Sequence, residues 1–396
     1  MAKTIDGEWL TMEETCQRLG IKRETVYSYV SRGRLRSRRS TSGRGSEVRA
    51  DDVEHLASLT AWRRSYIPRP VESAITLIKN GCLYYRSHEV STLVRDSSFE
   101  QVALTLWDDE ENESAGPWEA DADLVEKCRA AARVLPADAT PLDRLRMTAA
   151  CAGSMLKPPR GEGWSADSRR YAAEFLTTAV RALPHASGKG PGDESRFASM
   201  LWSRLSSREP TPAVVGVLDA ALILLADHDL PESTRVVRMA ARAGVGISGI
   251  VRLGLDINGG PVKSATVLGL SALLDGARSA ADPYRPRTGE PVPGFGHASY
   301  PDGDPRARIL LNLLTGVDPD ALDPVNSALH RAPLSSLPPP NIGFVLTVLA
   351  NVGQMVPGAA EAIFAIARST GWIAHAGEEY AQNPVRGIYH SVYCPR

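Results

Sequence analysis

Residues 293–300 read Pro-Gly-Phe-Gly-His-Ala-Ser-Tyr, and the string Asp-Pro-Arg follows at 304–306. The two glycines allow the backbone to approach a ligand without a Cβ in the way. His297 comes directly after them, and the guanidinium of Arg306 can bind a carboxylate through two parallel hydrogen bonds. The stretch therefore suits an anionic ligand that carries a carbonyl group. Taken alone, such a string is more often a glycine-rich loop before a helix with an incidental histidine.

Composition indicates an ordinary globular protein with more than one domain. The chain has 396 residues, 43% hydrophobic and 23% charged, and abundant Ala and Leu favour helices. The formal net charge of −1 argues against a molecule built as a whole to bind polyanions, so any basic patch must be local.

The cysteine content and hydropathy of the chain indicate where in the cell the protein is expected. The five cysteines are odd in number and scattered, and no Cys/His cluster has metal-ligand spacing. No apolar signal core and no run of about 18 apolar residues is present. We expect a cytoplasmic protein with no bound metal and no membrane association.

Residues 8–57 have the helix start and stop signals of a helix-turn-helix. Thr11 and Glu14 form a capping-box pattern, Gly20 ends the first helix, and Arg23–Ser31 forms a second. A Ser/Gly-rich turn at 41–46 then suggests a two-stranded wing, and a third helix begins near Asp51. Nine basic residues and two acids lie between positions 22 and 49, which is the electrostatic footprint of a phosphate-binding surface.

This segment resembles the winged helix of mercury-resistance-regulator (MerR) and excisionase type proteins. The matching sequence is LTMEETCQRLGIKRETVYSYVSRGRLRSRR, followed by EVRADDVEHLA. The resemblance covers about the first 57 residues and implies binding to double-stranded DNA. The alternative is a small helical domain whose arginines are solvated or dock on an acidic partner. The candidate DNA contacts are Arg23, Tyr27, Arg32, Arg36, Arg38, Arg39 and Arg44.

Helical segments dominate the rest of the chain. We expect a hairpin over Ile75–Tyr85, a helix capped by Ser98, and a buried helix over Pro212–Leu225 that ends near His228. By itself, His228 fits a satisfied core histidine better than a ligand contact. Further predicted helices cover 117–182 with breaks at prolines, then 233–254, 266–278, 305–314, 324–334 and 358–376.

Several strings together resemble the citrate synthase family: GFGHASYPDGDPRARILLNLL, ALILLADHDLPESTRVVRMAARAG, PNIGFVLTVL and AIFAIARSTGWIAHAGEE. They occur in the family's order and span roughly residues 72–396. The resemblance implies an all-α homodimer with a large and a small domain, here preceded by a small winged helix-turn-helix domain. The implied plan is a winged helix at 1–57, a linker at 58–72, and a citrate synthase-like region at 73–396, with the small domain at approximately 259–365.

The resemblance also implies roles for individual residues. His297 matches the histidine that polarises the carbonyl of the oxo acid, and His228 matches a second histidine near that substrate. Arg306 and Arg368 match two carboxylate-binding arginines. The segment that contacts coenzyme A corresponds to Val292, Pro293, Gly294, Phe295 and Gly296. No cofactor is implied beyond an acyl-CoA, which serves as cosubstrate or ligand.

Two positions depart from the family pattern. Gly-Pro-x-His-Gly-Gly is replaced by residues 260–265, so Lys263 stands where the enol-stabilising histidine is expected. Pro-Asn-x-Asp-Phe is replaced by residues 340–344, so Gly343 stands where the family has the aspartate that removes the methyl proton. Lys263 can snorkel to water, meet a ligand anion, or act as a base if desolvation lowers its pKa.

Three functions stay open from the sequence. The first is a citrate synthase-like protein that binds a 2-oxo or dicarboxylic acid and an acyl-CoA, with His297, Lys263 and His228 as candidate catalytic residues and altered or lost condensation. The second is a ligand-sensing, DNA-binding transcriptional regulator. The third is an active citrate or 2-methylcitrate synthase with compensating residues, against which the missing aspartate argues most strongly.

Overall fold

The computed structural model describes residues 9–40, 45–54, 56, 72–108, 118–159, 163–187, 194–258, 294–319, 323 and 338–381. The chain divides into two compact units, Met1–Glu72 and Ser73–Arg396. None of the helices within these ranges is long and apolar enough to cross a membrane.

The first unit contains two short helices and a small antiparallel sheet. The helices are α1 (Met12–Leu19) and α2 (Arg23–Ser31). The strands are β1 (Trp9–Thr11), β2 (Ser37–Arg39) and β3 (Ser46–Arg49), and β3 lies between the other two.

The local chemistry of this unit explains its elements. The side chain of Thr11 accepts from the amide of Glu14, whose carboxylate accepts from the Thr11 amide in return. Gly20 ends α1 in the left-handed region with φ of 64°. Both helices and the wing strands confirm the predictions, whereas β1 was not predicted. A small core contains Met12, Leu19, Val26, Leu35, Val48 and Val53.

The second unit is mainly helical and opens with a three-stranded sheet. Its strands β4 (Thr76–Lys79), β5 (Cys82–Tyr85) and β6 (His88–Glu89) pair antiparallel in sequence order. The helices are α3 (Val90–Asp96), α4 (Phe99–Leu106), α5 (Ala122–Ala132), α6 (Pro141–Met155), α7 (Ala166–Arg181), α8 (Phe197–Leu205), α9 (Pro212–Leu225), α10 (Glu232–Arg242), α11 (Ile247–Asn258), α12 (Pro305–Val317), α13 (Ile342–Val352) and α14 (Ala359–Ala381).

The structure confirms the hairpin, the cap at Ser98 and the buried helix α9, and it corrects three predicted helices. The single helix predicted over 233–254 is two helices, α10 and α11, because Gly244 turns the chain with φ of 84°. Helix α12 runs three residues beyond Leu314, and α14 begins at 359 and ends at 381.

Some predicted features lie outside the described residues. These are the helices at 266–278 and 324–334 and most of the 58–72 linker. The span predicted for the small domain, 259–365, is described only in part, so its bounds stay a prediction.

Helix α14 is the centre of the second unit. It packs against α9, α10 and α11, and most of its residues are buried. Close packing depends on two glycines. A Cβ at Gly254 would collide with the ring of Trp372, and a Cβ at Gly371 would collide with the Ala226 carbonyl and the Asp227 carboxylate. Gly371 therefore lets α14 approach the chain that leads to His228.

Candidate functional site

Three rings meet at the proposed ligand site. His228 follows the end of α9, whereas His297 and Tyr300 belong to the loop that precedes α12. The ring of His228 lies 4.9 Å from that of His297 in an edge-on arrangement. The Tyr300 ring lies 5.5 Å from His228 and 5.1 Å from His297. The structure thus brings together two histidines that are 69 positions apart in sequence, as the resemblance implied.

The hydrogen bonding of His297 defines its tautomer. The Ser299 amide donates to Nδ1 of His297 over 3.2 Å, so Nδ1 is an acceptor. Burial lowers the pKa of His297, and the nearby Arg306 cation lowers it further. The ring is therefore neutral near pH 7 and carries its proton on Nε2, which suits it to donate to a carbonyl oxygen.

His228 is also held neutral. It is buried, and desolvation together with Arg306 and Arg368 lowers its pKa to about 2. Its Nε2 atom is buried without a hydrogen-bond partner among the described residues. Asp229, the next residue, has a φ of 51° and turns the chain immediately after the histidine.

Arg306, in the first turn of α12, is buried and paired with the carboxylate of Asp304, which caps that helix. Its Nε and Nη2 each donate to Asp304 over 2.9 Å, which is a bidentate ion pair. Burial alone would raise the pKa of Asp304, but the Arg306 cation and its hydrogen bonds lower it. Asp304 also accepts from the Ile342 amide over 3.0 Å, so the pair connects α12 to α13.

Arg368 differs from Arg306 in having no carboxylate within ion-pair distance in the described part of the chain. Its Nε donates to the Leu225 carbonyl over 3.1 Å, and Nη1 donates to the His228 carbonyl over 3.4 Å. Burial lowers the pKa of this guanidinium, although Asp227 opposes that shift from beyond ion-pair distance. A buried cation with so little compensation is suited to an anionic ligand.

A buried polar network supports the segment that carries His228. The carboxylate of Asp227 accepts from Nε2 of His375 over 3.1 Å and from the Thr76 hydroxyl. Nη1 of Arg238 lies 2.9 Å from Nδ1 of His375, so Nδ1 accepts and Nε2 carries the proton. The Tyr85 hydroxyl accepts from the Asp227 amide over 3.1 Å. These contacts fix the backbone on the N-terminal side of His228.

The glycine-rich segment forms a second wall. Gly294 and Gly296 have φ of 85° and 71°, a region that favours glycine. Phe295 pairs as a β-bridge with Pro340, and the Asn341 side chain donates to the Gly296 carbonyl over 2.9 Å. Val292, Pro293 and Lys263 lie outside the described residues, so the predicted coenzyme A segment is described only from Gly294 onward.

Gly343 lies in the first turn of α13. Asn341 caps this helix, and its Oδ1 accepts from the Gly343 amide over 3.0 Å. A Cβ at Gly343 would meet only Oδ1 of Asn341, at 3.2 Å, among the described atoms within 4 Å. The position is exposed and supplies no side chain to the site.

The predicted DNA-binding residues of the first unit divide into two groups. Arg36 forms a bidentate pair with Asp52, and Arg38 pairs with Glu47 over 3.0 Å while its guanidinium lies 4.3 Å from the Trp9 ring centre. Arg38 therefore joins the two wing strands, β2 and β3, whereas Arg36 joins the residue before β2 to the segment after β3. The remaining described candidates, all exposed, are Arg23, Tyr27, Arg32 and Arg39, and Arg44 lies outside the described residues.

Sequence reasoning missed three residues of the site and its support. Tyr300 lay within the quoted glycine-rich stretch but received no role, and its position three residues after His297 was the available signal. Asp227 and His375 gave no sequence signal, because 148 residues separate them. Within the ranges that the structure describes, no group of three or more His, Cys, Asp or Glu side chains has metal-binding geometry.

Comparisons with known proteins match both units of the chain. Residues 69–389 match the family model described as citrate synthase, C-terminal domain, and residues 9–57 match a helix-turn-helix domain model. The chain is 27% identical over 344 residues to the citrate synthase of Acidithiobacillus ferridurans, which covers 77% of this chain and 87% of that protein. It is 29% identical over 203 residues to citrate synthase 2 of Bacillus subtilis, covering 49% of this chain and 55% of that protein.

A solved structure shares the fold. It is the ternary complex of citrate synthase from Thermoplasma acidophilum with carboxymethyl coenzyme A and oxaloacetate, which aligns with a TM-score of 0.61 at 18% identity. The alignment covers 84% of this chain and 98% of that one. The family model spans most of the second unit and the helical fold agrees with it, so this chain belongs to the citrate synthase family and carries a helix-turn-helix domain at its N-terminus.

Proposed function

We propose that the second unit binds a 2-oxo or dicarboxylic acid together with an acyl-CoA, and that the standard citrate-forming condensation is weak or absent. One observation carries this proposal. The buried residues His228, Arg306 and Arg368 and the half-buried His297 are assembled, whereas position 343 supplies no carboxylate.

The oxo-acid half of the site has the required groups. Nε2–H of the neutral His297 donates to the ligand's carbonyl oxygen and polarises it. Arg368 binds one ligand carboxylate, because that anion supplies the charge partner missing from its described surroundings. The structural neighbour in complex with oxaloacetate supports this ligand class.

The part of the site that would carry out the condensation lacks a base among the positions described. Removal of an α-proton from a thioester needs a base within hydrogen-bond reach, and Gly343 supplies none. Loss of a general base typically lowers the rate by about 10²–10⁴-fold. Lys263 in its ammonium form can donate to an enolate or pair with a ligand anion but cannot accept the proton.

Coenzyme A and a second subunit complete the proposal. The acyl-CoA contacts the segment from Val292 through Gly296, whose glycines leave the backbone open to a ligand. The homodimer expected from the family resemblance is supported by Val236 and Met239, which are 39% and 62% exposed on one face of α10. The proposal also includes the predicted domain bounds, with the winged helix ending at 57, the linker ending at 72 and the small domain at 259–365. It includes a cytoplasmic location as well.

A second candidate function is favoured by the helix-turn-helix unit. In this function, ligand binding to the second unit would control DNA binding by a transcriptional regulator. Arg39→Ala and Arg32→Ala should weaken DNA binding and lower its salt dependence, because each exposed arginine is placed to neutralise a phosphate. Gel shifts at several salt concentrations check this, with Arg38→Ala expected to destabilise the wing instead. Unchanged DNA binding in both exposed-arginine variants would contradict the regulator function.

The test of the proposed function is calorimetric titration with oxaloacetate and acetyl-CoA, followed by a thiol-release assay on the same sample. We expect oxaloacetate to bind with little or no CoA release. Steady release at a rate typical of an enzyme would instead favour the third candidate, an active citrate or 2-methylcitrate synthase. Absence of oxaloacetate binding by folded protein would contradict the proposal.

A further inference from the structure

Tyr300 has a buried hydroxyl with no hydrogen-bond partner in the part of the chain that the structure describes. The residue is only 2% exposed, and its hydroxyl makes no hydrogen bond to any described residue. The great majority of buried side-chain polar atoms in proteins are satisfied, so each exception requires an explanation. Nε2 of His228, on a neighbouring ring, is unsatisfied in the same way.

The surroundings of Tyr300 indicate what its hydroxyl would meet. The Arg306 guanidinium carbon lies 5.5 Å from the Tyr300 ring centre, and the charge of Arg368 also acts on this phenol. Burial raises the pKa of Tyr300 to about 12, so the hydroxyl keeps its proton at neutral pH. Tyr300 is therefore a hydrogen-bond donor beside two cations, which is the environment of a bound carboxylate.

We propose that Tyr300 is a ligand-binding residue whose hydroxyl donates a hydrogen bond to a carboxylate oxygen of the bound oxo acid. This assignment rests on the proposed function of the second unit. In the free protein the hydroxyl is buried and has no hydrogen-bond partner among the described residues, which is unfavourable for folding. The bound carboxylate satisfies it, so Tyr300 favours ligand binding at the expense of stability.

The variant Tyr300→Phe separates binding from stability. It removes one oxygen and keeps the ring that contacts His228 and His297. We expect the dissociation constant for oxaloacetate, measured by calorimetry, to rise about 10-fold or more, because a hydrogen bond to a charged group is lost. The melting temperature of the ligand-free variant should equal or exceed that of the wild type.

Tyr380→Phe is the matched control. The Tyr380 hydroxyl donates to the Val245 carbonyl, so its hydrogen bond is already satisfied within the fold. We expect this control to lower the melting temperature and to leave oxaloacetate affinity unchanged.

Two outcomes would overturn the assignment of Tyr300 alone. One is wild-type affinity for oxaloacetate in Tyr300→Phe. The other is a loss of stability in the ligand-free variant like that of the control, which would indicate a structural hydroxyl. If folded wild-type protein binds no oxaloacetate, the proposed function itself fails and the assignment fails with it.

Discussion

The two ends of the candidate site differ in how strongly the fold determines them. At one end, His228 and Arg368 are buried, and Arg368 donates to two backbone carbonyls, one of which belongs to His228. At the other end, Gly343 is exposed at the start of α13, and a Cβ there would contact only the Asn341 side chain among the described residues. The proposed oxo-acid site is therefore held by buried residues, whereas the position expected to supply the base is a single exposed residue.

The largest effect is expected from the arginines. Arg368→Gln should weaken oxaloacetate binding by about 100- to 1,000-fold, because the ligand carboxylate loses its buried charge partner. The variant should remain folded, since it removes a cation without a described carboxylate partner. Arg306→Gln should instead lower the free energy of unfolding, because it leaves Asp304 buried and unpaired. Calorimetry and urea unfolding measure the two effects, and equal behaviour of both variants would contradict the distinction.

The next largest effect is expected at Gly371, which allows close packing beside the buried end of the site. Gly371→Ala places a methyl group against the Ala226 carbonyl and the Asp227 carboxylate, so we expect a loss of about 2–3 kcal/mol in unfolding free energy. Gly216→Ala is the matched control in α9, because a Cβ there meets no described atom within 4 Å. It should stabilise the protein by up to about 1 kcal/mol. Losses of similar size in the two variants would argue against close packing at Gly371.

The neutral state of His228 predicts a pH effect. Its pKa is about 2 in the folded protein and about 6.5 when unfolded. The unfolded chain therefore binds one more proton between these values, and stability falls as the pH drops below 6.5. For this group the loss approaches about 1.4 kcal/mol per pH unit. Between pH 7 and pH 5, the free energy of unfolding of His228→Asn, measured with urea, should fall less than that of the wild type, because the variant lacks this contribution. Equal decreases in the two proteins would contradict a neutral His228.

The smallest effect is expected at the exposed end. Gly343→Asp should change the free energy of unfolding by less than about 0.5 kcal/mol, since the favourable placement of an aspartate in the first turn of a helix offsets the small shift that its Cβ requires of the Asn341 side chain. Thermal unfolding checks this. A loss of more than 2 kcal/mol would show that glycine at this position is a structural requirement.

The sequence predicted those parts of the fold that depend on residues close together in the chain. The capping box at Thr11, the turn at Gly20 and the helix capped by Ser98 follow from residues within three or four positions, and the structure confirms them. The break between α10 and α11 was missed, because Gly244 is also tolerated within helices and only the fold decides.

The site shows the same limit. The roles of His228, His297, Arg306 and Arg368 were assigned through the family resemblance, since only His297 and Arg306 share one short stretch and no spacing rule joins them to the other two. Which arginine is already paired was not predictable. Asp304 precedes Arg306 by two residues, but only the folded loop shows the bidentate contact. Similarly, the pairing of Arg36 with Asp52 shows that a basic sequence pattern does not equal a free basic surface.

The most direct test of the central claim compares CoA release by the wild type with that by a Gly343→Asp, Lys263→His double variant, at saturating oxaloacetate and acetyl-CoA. We expect little or no release by the wild type and a gain of about 10²–10⁴-fold on restoring both groups. A double variant that binds both substrates in the same way as the wild type yet gains no activity would contradict the claim. Rapid release by the wild type would contradict it as well.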